Sequence, residues 1–90
     1  MRLTFDPKKR ERTLAERGLD FGRAAEVFAG VAVTRDDNRV AYGEDRYVTV
    51  GYLDDRVVVI VWTQRGRARR IISMRKANER EIAKFDRAVG

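Results

Sequence analysis

The chain has no cysteine and no histidine. The first absence excludes disulfides and thiolate metal sites. The second removes the usual general base at neutral pH and the commonest metal ligand. Any catalysis must therefore run on carboxylates, Arg, Lys, Tyr or Ser. There is one proline, and no Pro/Ser-rich linker, internal repeat or low-complexity tract. No apolar run approaches the ~20 residues of a membrane span. The opening stretch MRLTFDPKKRER lacks the apolar segment of a secretory signal. The expectation is a cytoplasmic protein with no membrane contact. Its 90 residues fit a single domain, 1–90, near the lower limit of independent folding.

What the chain does have is charge, carried by 38% of its residues. An apolar fraction of 43% in periodic segments argues against disorder. Between Arg46 and Lys76 there are eight Lys/Arg against two acids, Asp54 and Asp55, while the rest of the chain is balanced. The whole excess of +6 therefore sits on one segment. Its core, VVVIVWTQRGRARRIISMRKA, starts as an apolar strand and returns as a cationic one. A localised cationic sheet is the footprint of a polyanion or of an acidic protein partner.

The pattern of elements is readable. Arg2 to Phe5 fits a short edge-like strand. Asp6 as N-cap and Pro7 in the first turn start a helix that stops near Arg17, with Gly18 as C-cap. Its face is strongly charged, and the simplest reading is a solvated helix with offsetting charge pairs. Asp20 starts a second helix, ending at Gly30, whose stripe Phe21, Ala24, Ala25 and Phe28 belongs to the core. Val31 to Val33 is a weak strand, and Asp36-Asp37-Asn38 and Arg39 to Asp45 read as irregular. Three strands then form an antiparallel meander: Tyr47–Leu53, a central Val57–Thr63 buried on both faces, and Ala68–Met74. The hairpins fall at Asp54-Asp55 and Gln64–Arg67. Asn78 and Glu81 form a capping box for a last helix with Ile82, Phe85 and Val89 inward. The order β-α-α-β-β-β-β-α predicts an α+β domain with helices against one side of a meander.

Alternation on the last strand separates Arg69, Ile71, Ser73 and Arg75 from Arg70, Ile72, Met74 and Lys76. Both sets mix apolar and charged residues, so the facing stays open. If Ile72 and Met74 face the helices, Arg69, Ser73 and Arg75 line the open face, with Arg70 and Lys76 at its rim. Arg46 begins the first meander strand, at the far edge of the three. Two or three Arg on such a face can clamp a phosphodiester and stabilise charge during 2′-hydroxyl attack, without metal or histidine. Glu44, Asp45 and Tyr47 are candidate proton acceptors, and Lys76 is a candidate donor. Tyr47 can alternatively stack on an unpaired base. The residues alone leave catalysis and plain binding both open.

The chain also resembles the BrnT family, the toxin component of bacterial type II toxin–antitoxin pairs. The likeness runs through Phe5-Asp6-Pro7-Lys8, Arg17-Gly18-Leu19-Asp20-Phe21 with Val27-Phe28, and Gly43 to Gly51. It is sharpest in Thr63-x-Arg65-Gly66 followed by Arg70 to Ala77. The resemblance implies a RelE-like fold, a small antiparallel meander flanked by two N-terminal helices and one C-terminal helix. It implies a metal-independent endoribonuclease that inhibits translation and needs no cofactor. A BrnA-like antitoxin would neutralise it, and operator DNA would be met only through that antitoxin. By match to the motifs, Arg46, Arg65, Arg70 and Arg75 are the catalytic expectation; Arg67, Arg69, Lys76 and Tyr47 are expected to bind RNA. Three positions depart from the family pattern: Arg17 stands where histidine is common, Ala68-Arg69-Arg70 replaces Arg-Ile-Arg, and Phe85 replaces a tyrosine. The competing readings are a non-catalytic RNA- or partner-binding module on the same fold, and a basic surface that only docks an acidic antitoxin.

Overall fold

The computed structural model describes residues 1–39 and 41–90. In chain order it contains β1 (Arg2–Thr4), α1 (Pro7–Arg17), a 3-10 turn (Phe21–Arg23), α2 (Ala24–Ala29) and β2 (Ala32–Asp36). Then follow β3 (Arg46–Leu53), β4 (Arg56–Arg65), β5 (Ala68–Lys76) and α3 (Glu79–Val89). The order is the expected one. Val40, part of the stretch expected to be irregular, lies outside the described residues.

One five-stranded sheet has the order β1-β5-β4-β3-β2. The meander β3-β4-β5 is antiparallel, and β2 adds antiparallel to β3. β1 joins β5 in parallel, so the sheet is mixed rather than purely antiparallel. β4 is central because Val57 to Ile60, Trp62 and Thr63 are all buried, which needs cover on both faces. The weak strand extends past Val33 to Asp36, held by its ladder to β3 and a 2.8 Å hydrogen bond between the Thr34 and Thr49 hydroxyls.

The helices do not share one side, contrary to the expectation. α2 and the 3-10 turn cover one face. There Phe21, Ala24 and Val27 pack on Val58, Ile60, Trp62, Ile71 and Met74. Gly51 lets α2 approach, since a Cβ there would lie 2.9 Å from Val27. α3 covers the other face: Phe85 meets the Tyr52 ring edge-on at 5.3 Å. Tyr52 and Gly51 are neighbours on one strand, so they point to opposite sides. Val48, Val57, Val59 and Phe85 make this second, smaller core.

The caps are as the sequence implies. Asp6 accepts from Lys8 N–H, and Asn78 and Glu81 form the reciprocal box. α1 departs from its simplest reading. Among the described residues it forms no ion pair within itself. Arg10 reaches out to Asp20 at 2.8 Å. Lys9 donates to the Ile72 carbonyl at 2.6 Å and Arg17 to the Met74 carbonyl at 3.0 Å. β1 ends opposite Arg70, so these two side chains bond carbonyls on the part of β5 that β1 leaves uncovered.

Candidate functional site

The last strand does not alternate throughout. Val61 pairs with Ser73 but Trp62 with Ile71, which leaves Ile72 as the extra residue of a β-bulge. Ile71 and Met74, three apart, are therefore both buried against α2 and its neighbours. This resolves the facing and corrects the arrangement that put Ile72 with Met74. Arg70, Ser73 and Arg75 share the α3 side. Arg69 points to the opposite one.

On the α3 side, Arg46, Thr63 and Arg70 are direct partners across β3, β4 and β5. Adjacent strands lie ~4.8 Å apart, so the two arginines start about 10 Å from each other across Thr63. Thr63 is buried and donates to the Asp45 carbonyl at 2.6 Å, which fixes the loop leading into β3. That loop carries Glu44. One Glu44 oxygen takes Arg65 at 3.0 Å and the other takes Arg46 at 3.3 Å. The Arg46 guanidinium also lies 3.8 Å from the centre of the Tyr42 ring. Arg65 sits two residues beyond Thr63 on the same side, before the tight turn Gly66-Arg67, where Gly66 takes φ 58°. The result is three guanidinium groups at the turn end of the sheet, two of them bridged by the Glu44 carboxylate. Arg70 makes no side-chain hydrogen bond or ion pair among the described residues and is only partly covered.

Arg75 lies elsewhere. Its β4 partner is Val59, four residues or roughly 13 Å along the strand from Thr63. Glu81 grips it through two 2.7 Å bonds, at the first turn of α3. Arg75 and the Asn78 N–H draw the Glu81 carboxyl down to about 2. The pair pins α3 to the sheet.

The expected RNA-binding residues are dispersed. Arg69 stands over Phe28 and Trp62, 4.6 Å from each ring centre. Tyr47 lies on the same side, against Trp62 at 4.8 Å and a 32° tilt. Trp62 donates its indole N–H to Thr49 at 2.8 Å. Phe28 is thus half-buried at the margin of the core, not at its centre. Arg67 is exposed at the turn, and Lys76 is exposed at the far end of β5. Tyr47 and Lys76 lie on the opposite side of the sheet from the Arg46–Arg70 row, whereas Glu44 pairs with Arg46 and Arg65. Sequence reasoning missed Thr63, the Glu81 partner of Arg75, and the structural use of Arg17. Among the described residues, no three His, Cys, Asp or Glu cluster as metal ligands, and no helix is long and apolar enough to cross a membrane.

The fold and this face define a class: a small α+β domain of RelE-like architecture with a cationic, partly open sheet face. A family model described as "Ribonuclease toxin, BrnT, of type II toxin-antitoxin system" matches residues 5–81. The chain belongs to that family of ribonuclease toxins. No curated protein matches it.

Proposed function

We propose that this protein is a cytoplasmic, metal-independent endoribonuclease toxin whose reaction centre is the Arg46–Thr63–Arg70 row with Arg65 and Glu44. The observation that carries the reading is the register itself. It sets two arginines across one threonine, with a carboxylate already holding Arg46 and Arg65. Arg46 and Arg70 clamp the non-bridging phosphate oxygens. Glu44 takes the proton of the 2′-hydroxyl as its oxygen bonds to phosphorus. The bond to the 5′-oxygen breaks, that oxygen takes a proton from solvent, and a 2′,3′-cyclic phosphate remains. The arginines stabilise the extra charge on phosphorus as it develops. Arg75 acts through α3, which it fixes beside the site. Arg67 at the turn guides the RNA backbone, while Arg69 and Tyr47 serve the face beneath α2. Translation stops because its RNA is cut. A BrnA-like antitoxin covers the cationic face and carries any contact with operator DNA.

The test is incubation of purified protein with RNA in EDTA, with mapping of the ends. Cleavage should persist and leave cyclic phosphate. Arg70→Ala should slow it by about 30- to 1000-fold, the equivalent of about 2–4 kcal/mol of transition-state stabilisation. EDTA-sensitive cutting would overturn the metal-free chemistry. RNA binding without cutting would favour a non-catalytic module on the same fold. Folded Arg70→Ala with unchanged activity would remove this row from the site.

A further inference from the structure

A groove runs between α1 and the outer edge of β5. It is lined by Lys9, Arg12, Thr13, Glu16, Arg17 and Ser73, among others. Its volume is about 200 Å³, below the ~300–1,000 Å³ of ordinary small-molecule pockets. Three cations face one carboxylate. Among the described residues Lys9 and Arg17 bond only to backbone carbonyls, which orient them without cancelling their charge. Arg12 is exposed and has no ion pair among the described residues. The groove lies at the β5 edge between the two faces: Phe21, from the α2-side core, and Ser73, on the same sheet side as Arg70, both line it. β1 covers β5 only as far as Arg70, so the sheet edge opens where the groove begins.

We infer that this groove is a second phosphate track, which takes single-stranded RNA flanking the cleaved bond after it leaves the Arg46–Arg70 row across the β5 edge. The inference rests on the ribonuclease reading above. The bulge at Ile72 assists it. Ile72, the extra residue, gives its carbonyl to Lys9, and this bond holds the ammonium at the groove wall. Thr13 and Ser73 offer hydroxyl donors between the cations. A narrow strip of positive charge with hydroxyl donors suits a chain of phosphates better than a compact anion.

The probe is a labelled 20-nucleotide single-stranded RNA with 2′-O-methyl sugars, which cannot be cut, alongside a 4-nucleotide version. Arg12→Ala is the informative variant, because among the described residues the Arg12 side chain holds no hydrogen bond or ion pair. It should weaken 20-mer binding about 3- to 10-fold and leave 4-mer binding unchanged. It should also flatten the dependence of log affinity on log salt by about 0.7 for each phosphate that is no longer neutralised. Equal weakening for both lengths would overturn the track and place Arg12 at the reaction centre. Unchanged 20-mer binding, with Arg70→Ala still weakening it, would overturn the track and leave the reaction centre standing. Weakened binding of poly-glutamate with RNA binding intact would make the groove a protein site and also overturn it. Failure of the wild type to bind either RNA would overturn the ribonuclease reading itself.

Discussion

Single residues decide how close the layers come. Gly51 lies under α2, and an added methyl would meet Val27 at 2.9 Å, Ala32 at 3.0 Å and the Val31 carbonyl at 3.2 Å. None of these is the loose end of a flexible side chain. Gly51→Ala should therefore overpack the junction and destabilise the protein by about 1–3 kcal/mol. Thermal unfolding measures this, and an unchanged midpoint would mean that α2 can ride outward freely. Arg17 teaches a related lesson. In the family pattern its position often holds histidine, yet here its guanidinium bonds a strand carbonyl. The sequence names the residue but not its partner, which lies fifty-seven positions away.

Elements were legible where their signals are local. Asp6 with Pro7, Gly18, and Asn78 with Glu81 mark helix ends by chemistry within four residues, and each end is found there. The β3–β4 hairpin was legible too, although its two-residue turn places Asp54 at φ 52° and Asp55 at φ 60°. Such a turn favours glycine at its second position. Asp54 is occupied by Arg23 at 2.6 Å, but Asp55 has no bond to lose among the described residues. Asp55→Gly should stabilise the fold by about 0.5–1 kcal/mol, which raises the melting temperature by roughly 2–8 °C in a domain of this size. A lowered midpoint would show that the left-handed pair carries no strain. The bulge in β5 was not legible, because an inserted residue leaves no mark in composition. Alternation alone therefore misassigned Ile72 and left the arginine facing open. The parallel pairing of β1 escaped for a similar reason, since three residues carry too little pattern.

Across the whole molecule, arginines hold acids. Asp20, Glu26, Asp37, Asp54 and Glu81 each have a carboxyl drawn below its ordinary range, chiefly by hydrogen bonds from Arg10, Arg23, Arg39, Arg23 and Arg75 respectively. A depressed carboxyl adds stability that is complete above its unfolded value, 4.5 for Glu81, and is lost as pH falls through its folded value, about 2. Stability should thus stay level from neutral pH to about 5 and fall steadily below about 4.5. Circular dichroism melts across that range measure it. A Glu81→Gln variant should lose less stability on acidification than the wild type. An identical profile would mean that the Arg75 pair contributes nothing. At this scale the site was partly legible. The charge excess marks the strands that carry the proposed site. The choice among its arginines depended on register, on the return of α3, and on the loop that carries Glu44.

The squeezed-out residue at Ile72 has a consequence for how related chains can be aligned. Two side chains five positions apart on a regular strand face opposite ways, yet Arg70 and Arg75 face the same way here. Removing the extra residue would shorten the interval to four and keep both on that side, so a single gap at this point leaves the facing of both arginines unchanged. A single gap in β4, whose ladder to β3 is unbroken, would instead turn Trp62 out of its cluster or the following residues out of phase. Tolerance of length change in this sheet is thus unequal between neighbouring strands, and the place where an alignment should absorb a one-residue difference is written in the ladder, not in the letters.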